Sequence, residues 1–120
     1  MIDILIFSKD RACQLDLFLK SELHNAQLFD QRTILYKVSN EEYDIGYDKL
    51  SRDYYPDWDY AEETKSIREH LLEVLSQSKA DLICLSTDDC IFYRKLPSSA
   101  KEEIIAAVDD KTIGFSLRLG

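Results

Sequence analysis

Glycine is scarce, three residues in 120, and none stands in the polar loop Ser8-Lys9-Asp10-Arg11 that follows the first apolar run. A dinucleotide fingerprint and a P-loop both need glycine where backbone approaches phosphate, so both are excluded. Cysteine is sparse as well. Cys13, Cys84 and Cys90 are odd in number and lack metal-ligand spacing, which fits reduced thiols rather than a disulfide framework. Basic residues are outnumbered, and the resulting net charge of −8 argues against a general nucleic-acid binder, which needs a basic face. An acidic chain suits a cationic partner or a metal. The opening apolar run ends at Phe7, far short of a signal or transmembrane segment, so the expectation is a cytoplasmic protein with no membrane span. Repeats, low-complexity tracts and linkers are missing, and residues 1–120 make one domain.

What is present centres on the stretch ADLICLSTDDCIFY, residues 80–93. A continuous apolar run, Leu82-Ile83-Cys84-Leu85, stops at two adjacent acids, Asp88 and Asp89, and a second β-prone run, Ile91-Phe92-Tyr93, follows. Apolar runs without alternation mark strands covered on both faces, as in parallel α/β sheets. Such sheets bind ligands beyond the carboxyl ends of their strands, which is where this acidic pair falls. A polar turn capping a buried strand is the simpler alternative.

The rest of the chain alternates in the same manner. Residues 4–7 read as a first strand, and Asp10 as the N-cap of a helix carrying Leu15, Phe18 and Leu19. Residues 33–38 read as a second strand. Ser39 and Glu42 match a capping box ahead of a stripe of Tyr43, Tyr47, Leu50 and Tyr54, expected to pack rather than to stack on a ligand. Gly46 weakens that helix slightly. The aromatic segment 54–60, with Pro56 and Trp58, reads as a loop with room for a short edge strand. Residues 62–77 form the clearest helical pattern, through Ile67, Leu71, Val74 and Leu75, with Glu62 and Glu63 at its positive end. Lys65 and Arg68 sit against the dipole there, which suggests phosphate contacts or local ion pairs. Residues 94–97 break the chain, and Ser99 and Glu102 repeat the capping-box pattern before Ile104, Ile105 and Val108. Asp109-Asp110-Lys111 reads as a turn. Residues 112–119 alternate as a final strand, and the chain then ends, which suggests a domain incomplete at its C-terminal end or completed by another copy.

In order, IDILIFSKDRACQLDLFLKS, VSNEEYDIGYDKL, LICLSTDDCIFYRKL and GFSLRLG resemble the amino-terminal half of a glycosyltransferase of the GT-A fold, family-2-like group. The resemblance implies an α/β, Rossmann-like three-layer sandwich with a mostly parallel central sheet, of the nucleotide-diphospho-sugar transferase type. It implies a nucleotide-sugar donor, an inverting transfer to an acceptor hydroxyl, and a divalent cation, Mn²⁺ or Mg²⁺, on the pyrophosphate. A metal suits this chemistry because charge develops on the departing phosphate oxygen. By the same resemblance Phe7, Ser8 and Arg11 line the nucleotide pocket, Ser39, Asn40 and Glu41 lie beside base or ribose, and Lys65 approaches the phosphates. Asp88 faces ribose or metal, with Asp89 beside it. Cys90 stands where a third acid would complete Asp-x-Asp, and a thiol is a poor ligand for a hard cation. Either Asp89 substitutes, or donor binding is weak or lost. The family's general base and acceptor site lie in its second half, so no catalytic residue is assigned, and neither Asp109 nor Asp110 is taken as the base.

Two other classes compete. One is a catalytically inactive or truncated nucleotide-binding or interaction module of the same fold, which Cys90 and the early end favour. The other is a phosphoacceptor receiver domain, which needs clustered acids after the first strand and a lysine after a late one. Neither feature is present.

Overall fold

The computed structural model describes residues 1–109, and the expected strand at 112–119 lies outside them. Apolar side chains at every other position of β1 (Ile2–Lys9) seed the core: Ile2, Ile4 and Ile6 are each at most 4% exposed. β1 is flanked by two parallel neighbours, β2 (Arg32–Lys37) and β4 (Leu82–Thr87), and β3 (Asp59–Glu62) pairs parallel with β2. The sheet order is β3-β2-β1-β4. This is an α/β chain with an all-parallel, Rossmann-like sheet. Register places Ile6 beside Ile34 and Ser8 beside Tyr36, and on the other flank Ile4 beside Cys84. These residues share one face of the sheet, because successive side chains alternate.

Two helices supply that face with its cover. α1 (Ala12–Ser21) buries Leu15, Phe18 and Leu19, the expected i, i+3, i+4 set, and widens into a π-helical turn at Glu22–Ala26. α2 (Glu41–Lys49) contributes Tyr47, 1% exposed, and runs into a second π-helical turn at Leu50–Tyr54 whose Leu50 is also buried. Only the middle of the expected stripe is core, since Tyr43 and Tyr54 are exposed. Gly46 has a steric reason. A Cβ built there would lie 2.7 Å from the Cβ of Ala12, so α1 and α2 approach at this point. Gly46→Ala is therefore expected to destabilise by about 1–3 kcal/mol through overpacking, despite a gain of about 1 kcal/mol in helix propensity. Urea unfolding of Gly46→Ala, and of the same change with Ala12→Gly, checks this. A more stable single variant would sink it.

Several expected boundaries move. Asp10 does not cap α1, whose N-cap is Arg11 without a side-chain bond. Asn40, not Ser39, caps α2, its side chain accepting from the Tyr43 amide at 3.2 Å. The helix expected over 62–77 begins only at Ile67: α3 spans Ile67–Gln77, and its cap is Ser66, which accepts from the Glu69 amide. Glu62 belongs instead to β3, an edge strand that begins at Asp59 inside the aromatic segment that held room for one and runs past its end. α3 buries His70, whereas Ile67, Leu72 and Leu75 are exposed. A cleft of about 430 Å³ separates His70 and Val74 from Leu5, Leu35 and Ile83 on the sheet. α4 (Ala100–Ala107) forms without the Ser99 cap bond that the sequence suggested.

The second β-prone run is not a strand. Phe92 packs on Phe18 and Phe29 with ring centroids 5.9 and 6.4 Å away, and its amide donates to Ser21 Oγ. The aromatic segment before β3 is likewise packing: Tyr55 stacks on Trp58 at 4.8 Å, and the Arg32 guanidinium lies 5.0 Å from the Trp58 ring. Among the described residues no helix is long and apolar enough to cross a membrane.

Candidate functional site

Strand order fixes where a site can lie. The chain builds β1, β2 and β3 outward in one direction and then places β4 on the far side of β1. The sheet thus reverses direction between β1 and β4, and crevices in open parallel sheets form beyond the carboxyl ends of strands at such a reversal. Ser8 near the end of β1 and Asp88 just past the end of β4 meet across that point. Ser8 Oγ donates to Asp88 Oδ2 at 2.7 Å.

Both residues are buried, Ser8 at 7% and Asp88 at 4% exposure, so each needs its partner. A third group completes the arrangement. The hydroxyl of Tyr47, reaching in from α2, lies 2.6 Å from Ser8 Oγ and accepts from the Arg11 amide at 2.9 Å. Because the Arg11 N–H occupies the phenol oxygen as an acceptor and Ser8 spends its own proton on Asp88, the Tyr47 O–H points to Ser8. Burial, followed by smaller opposing effects from these hydrogen bonds, pushes the Tyr47 phenol above its ordinary range, which keeps that proton in place. Tyr36 stacks beneath the Tyr47 ring at 4.7 Å. The Arg11 guanidinium closes the circuit with NH1 3.7 Å from Asp88 Oδ1, while 45% of its side chain stays exposed.

Asp89, adjacent to Asp88 in sequence, points elsewhere. Its Oδ1 accepts from Thr87 Oγ1, and that bond, ahead of the smaller pull of Arg11, holds its carboxyl below the usual range. Cys90 Sγ lies 3.8 Å from the same oxygen. The Asp88 carboxylate is thus committed inside the protein, whereas Asp89 is exposed on the rim.

The neighbouring loop is tied to this mouth. Asp10 accepts from the Ser39 amide at 2.8 Å and from its hydroxyl at 2.6 Å, and the hydroxyl bond is the main reason its carboxyl is held low. Asn40 and Glu41 follow at the exposed start of α2, Asn40 occupied as a cap. Phe7 is half-buried on the face of β1 opposite Ser8. Lys65 is the expected site residue that turns away: its amine pairs with Glu73 Oε2 of α3 at 2.8 Å. It also precedes the Ser66 cap, so the dipole argument for it does not apply. Of the residues singled out in the sequence, then, Ser8, Arg11 and Asp88 converge, Asp89 flanks them and Ser39 braces them. Tyr47 is the member that pattern alone does not reveal, since a tyrosine on a buried helical stripe reads as core.

Asp88 and Asp89 both feel the guanidinium of Arg11 at this mouth, and a third acid, Asp10, is tied to Ser39 in the adjoining turn. An anionic ligand entering the mouth needs added positive charge. A hard cation carried by a diphosphate keeps most of its shell as water and phosphate oxygen and takes only one or two carboxylates. Asp89 fits that role as an exposed carboxylate on the rim. Asp88 fits less well, since its two oxygens face Ser8 and Arg11. Comparison of the chain with protein-family models, with curated proteins and with solved structures gave no significant match.

Proposed function

We propose that this chain is the donor-binding half of an inverting glycosyltransferase of the GT-A type, with the mouth between β1 and β4 as its nucleotide-diphospho-sugar site. The observation that carries the proposal is the buried Ser8–Asp88 bond at the reversal of the sheet, with a half-exposed arginine beside it. In this reading the sheet continues into a three-layer sandwich completed by further chain or by another copy. Arg11 holds the diphosphate by charge-assisted hydrogen bonds. Asp89 is the carboxylate that would hold Mn²⁺ or Mg²⁺, which when bound offsets the charge on the leaving diphosphate. Asp88 orients Arg11 and Ser8. Phe7, Ser39, Asn40 and Glu41 line the approach for base and ribose. The reaction is displacement at the anomeric carbon by an acceptor hydroxyl, with inversion and release of the nucleoside diphosphate.

Calorimetric titration with UDP and GDP, with and without Mn²⁺, tests the proposal on wild type, Arg11→Ala and Asp89→Asn. Wild type is expected to bind more tightly with Mn²⁺. Asp89→Asn should lose that enhancement, and Arg11→Ala should weaken binding about tenfold, the scale of a charged hydrogen bond. A second reading, an inactive nucleotide-binding module, draws on Cys90 and on the commitment of Asp88 to Ser8 and Arg11. It predicts binding indifferent to Mn²⁺ and to Asp89. No binding of either nucleotide would remove the donor site altogether.

A further inference from the structure

Three hydrogen bonds and one ion pair at the mouth form a closed circuit, and the proton that Ser8 gives to Asp88 sets the direction of the Tyr47–Ser8 link. The Arg11 amide donates to the Tyr47 oxygen, Tyr47 donates to Ser8, Ser8 donates to Asp88, and Asp88 faces the Arg11 guanidinium. The circuit therefore begins and ends on one residue, holding its backbone at one point and its side chain at another. We infer that Tyr47 is a positioning residue, whose hydroxyl fixes the Arg11 guanidinium at the mouth where a diphosphate would be received.

Three observations support this role over simple packing. The ring of Tyr47 is fully accounted for by burial and by the stack on Tyr36, so the core needs only a phenyl group there. Its hydroxyl nevertheless reaches two polar groups on another segment. Finally, the guanidinium is the only member of the circuit with substantial exposure, so the effort of ordering four groups is delivered to one surface cation. A long cationic side chain loses considerable rotamer entropy when it binds an anion, and fixing it beforehand lowers that cost. Its functional meaning rests on the donor-site proposal, but the ordering of Arg11 does not.

The test uses Tyr47→Phe, which keeps the ring and removes the hydroxyl. The side-chain Nε–Hε resonance of Arg11 reports its order directly, without any ligand. It is expected to shift from a restricted signal in wild type to an averaged one in the variant. Binding of UDP with Mn²⁺ should weaken by no more than the roughly tenfold loss expected for Arg11→Ala, because the hydroxyl acts only through that residue. The double variant Arg11→Ala/Tyr47→Phe should bind no worse than Arg11→Ala alone, because Tyr47 acts through Arg11. Ser8→Ala cuts the same circuit one link further on, and it should free the guanidinium in the same way if Tyr47→Phe fails to fold. An Arg11 signal unchanged in both variants overturns the inference, as do losses that add in the double variant. A loosened Arg11 in a protein whose wild type binds neither UDP nor GDP upholds the positioning and overturns the donor-site proposal instead.

Discussion

Asp88→Ala is expected to lower unfolding free energy by about 2–3 kcal/mol and to weaken nucleoside diphosphate binding by about tenfold at most, no more than Arg11→Ala, whereas Asp89→Ala should change stability by less than about 0.5 kcal/mol. The two acids are neighbours in sequence, and their surroundings separate them. Asp88 is 4% exposed and accepts from a serine that is itself buried, so its removal leaves the Ser8 hydroxyl without an acceptor. An orphaned buried hydroxyl costs about 1–3 kcal/mol. Breaking a fully buried ion pair would add more, but Arg11 is 45% exposed and can recover water, so that part is small. Binding suffers for a different reason, since Arg11 loses the carboxylate that aims it. Urea unfolding and calorimetry on both variants check the contrast. Equal effects at the two positions would refute the assignment of roles.

Glu22→Ala is expected to have the largest effect on stability alone, about 3–5 kcal/mol. Glu22 stands at the start of the widened turn that ends α1, 1% exposed, and receives two hydrogen bonds from Arg32 at 3.0 and 3.1 Å. The Arg32 side chain is only 14% exposed and lies over Trp58. Removing the carboxylate strands a guanidinium in that setting. The double variant Glu22→Leu/Arg32→Met replaces the pair by apolar groups of similar size and is expected to fall within about 1 kcal/mol of wild type, since a well-packed substitute for a buried pair is often neutral. Denaturant midpoints with an unchanged slope distinguish the cases. A single variant that loses less than about 1 kcal/mol would show that water reaches Arg32 more freely than its burial implies.

The strands around the site were legible from the apolar runs ending at Phe7 and Leu85, but the cover those runs imply holds only for β1. β4 is at best partly buried and its Leu85 is 54% exposed, so a continuous apolar run marked a strand without marking two covered faces. β3 was not legible, since DYAE is short and half polar, and it becomes a strand only by pairing with β2. Its presence displaced the start of α3: Glu62 and Glu63 look like first-turn acids, yet the working cap is Ser66 with Glu69 three residues on. At the start of α2 the capping-box pattern points to Ser39, and its neighbour Asn40 takes the role instead. Tertiary structure decides between them, because Asp10 takes both the amide and the hydroxyl of Ser39. The acidic pair was visible as a pair, but nothing local says that one carboxylate turns inward to Ser8 and the other outward. Tyr47 stayed hidden for a related reason. Helical periodicity reports which side chains are buried and is silent on what a buried phenol oxygen must bond.

Asp10 carries a consequence of its own. Its φ of 54° lies in the left-handed region that L-residues seldom occupy, and it is held there by two bonds from Ser39 and by its own amide donating to the Lys37 carbonyl. The turn leaving β1 and the turn leaving β2 are consequently stitched into one unit at the opening of the crevice. A molecule entering meets walls that need not search for each other, so little of its binding energy goes to ordering them, and recognition there should be governed by shape and charge rather than by loop closure.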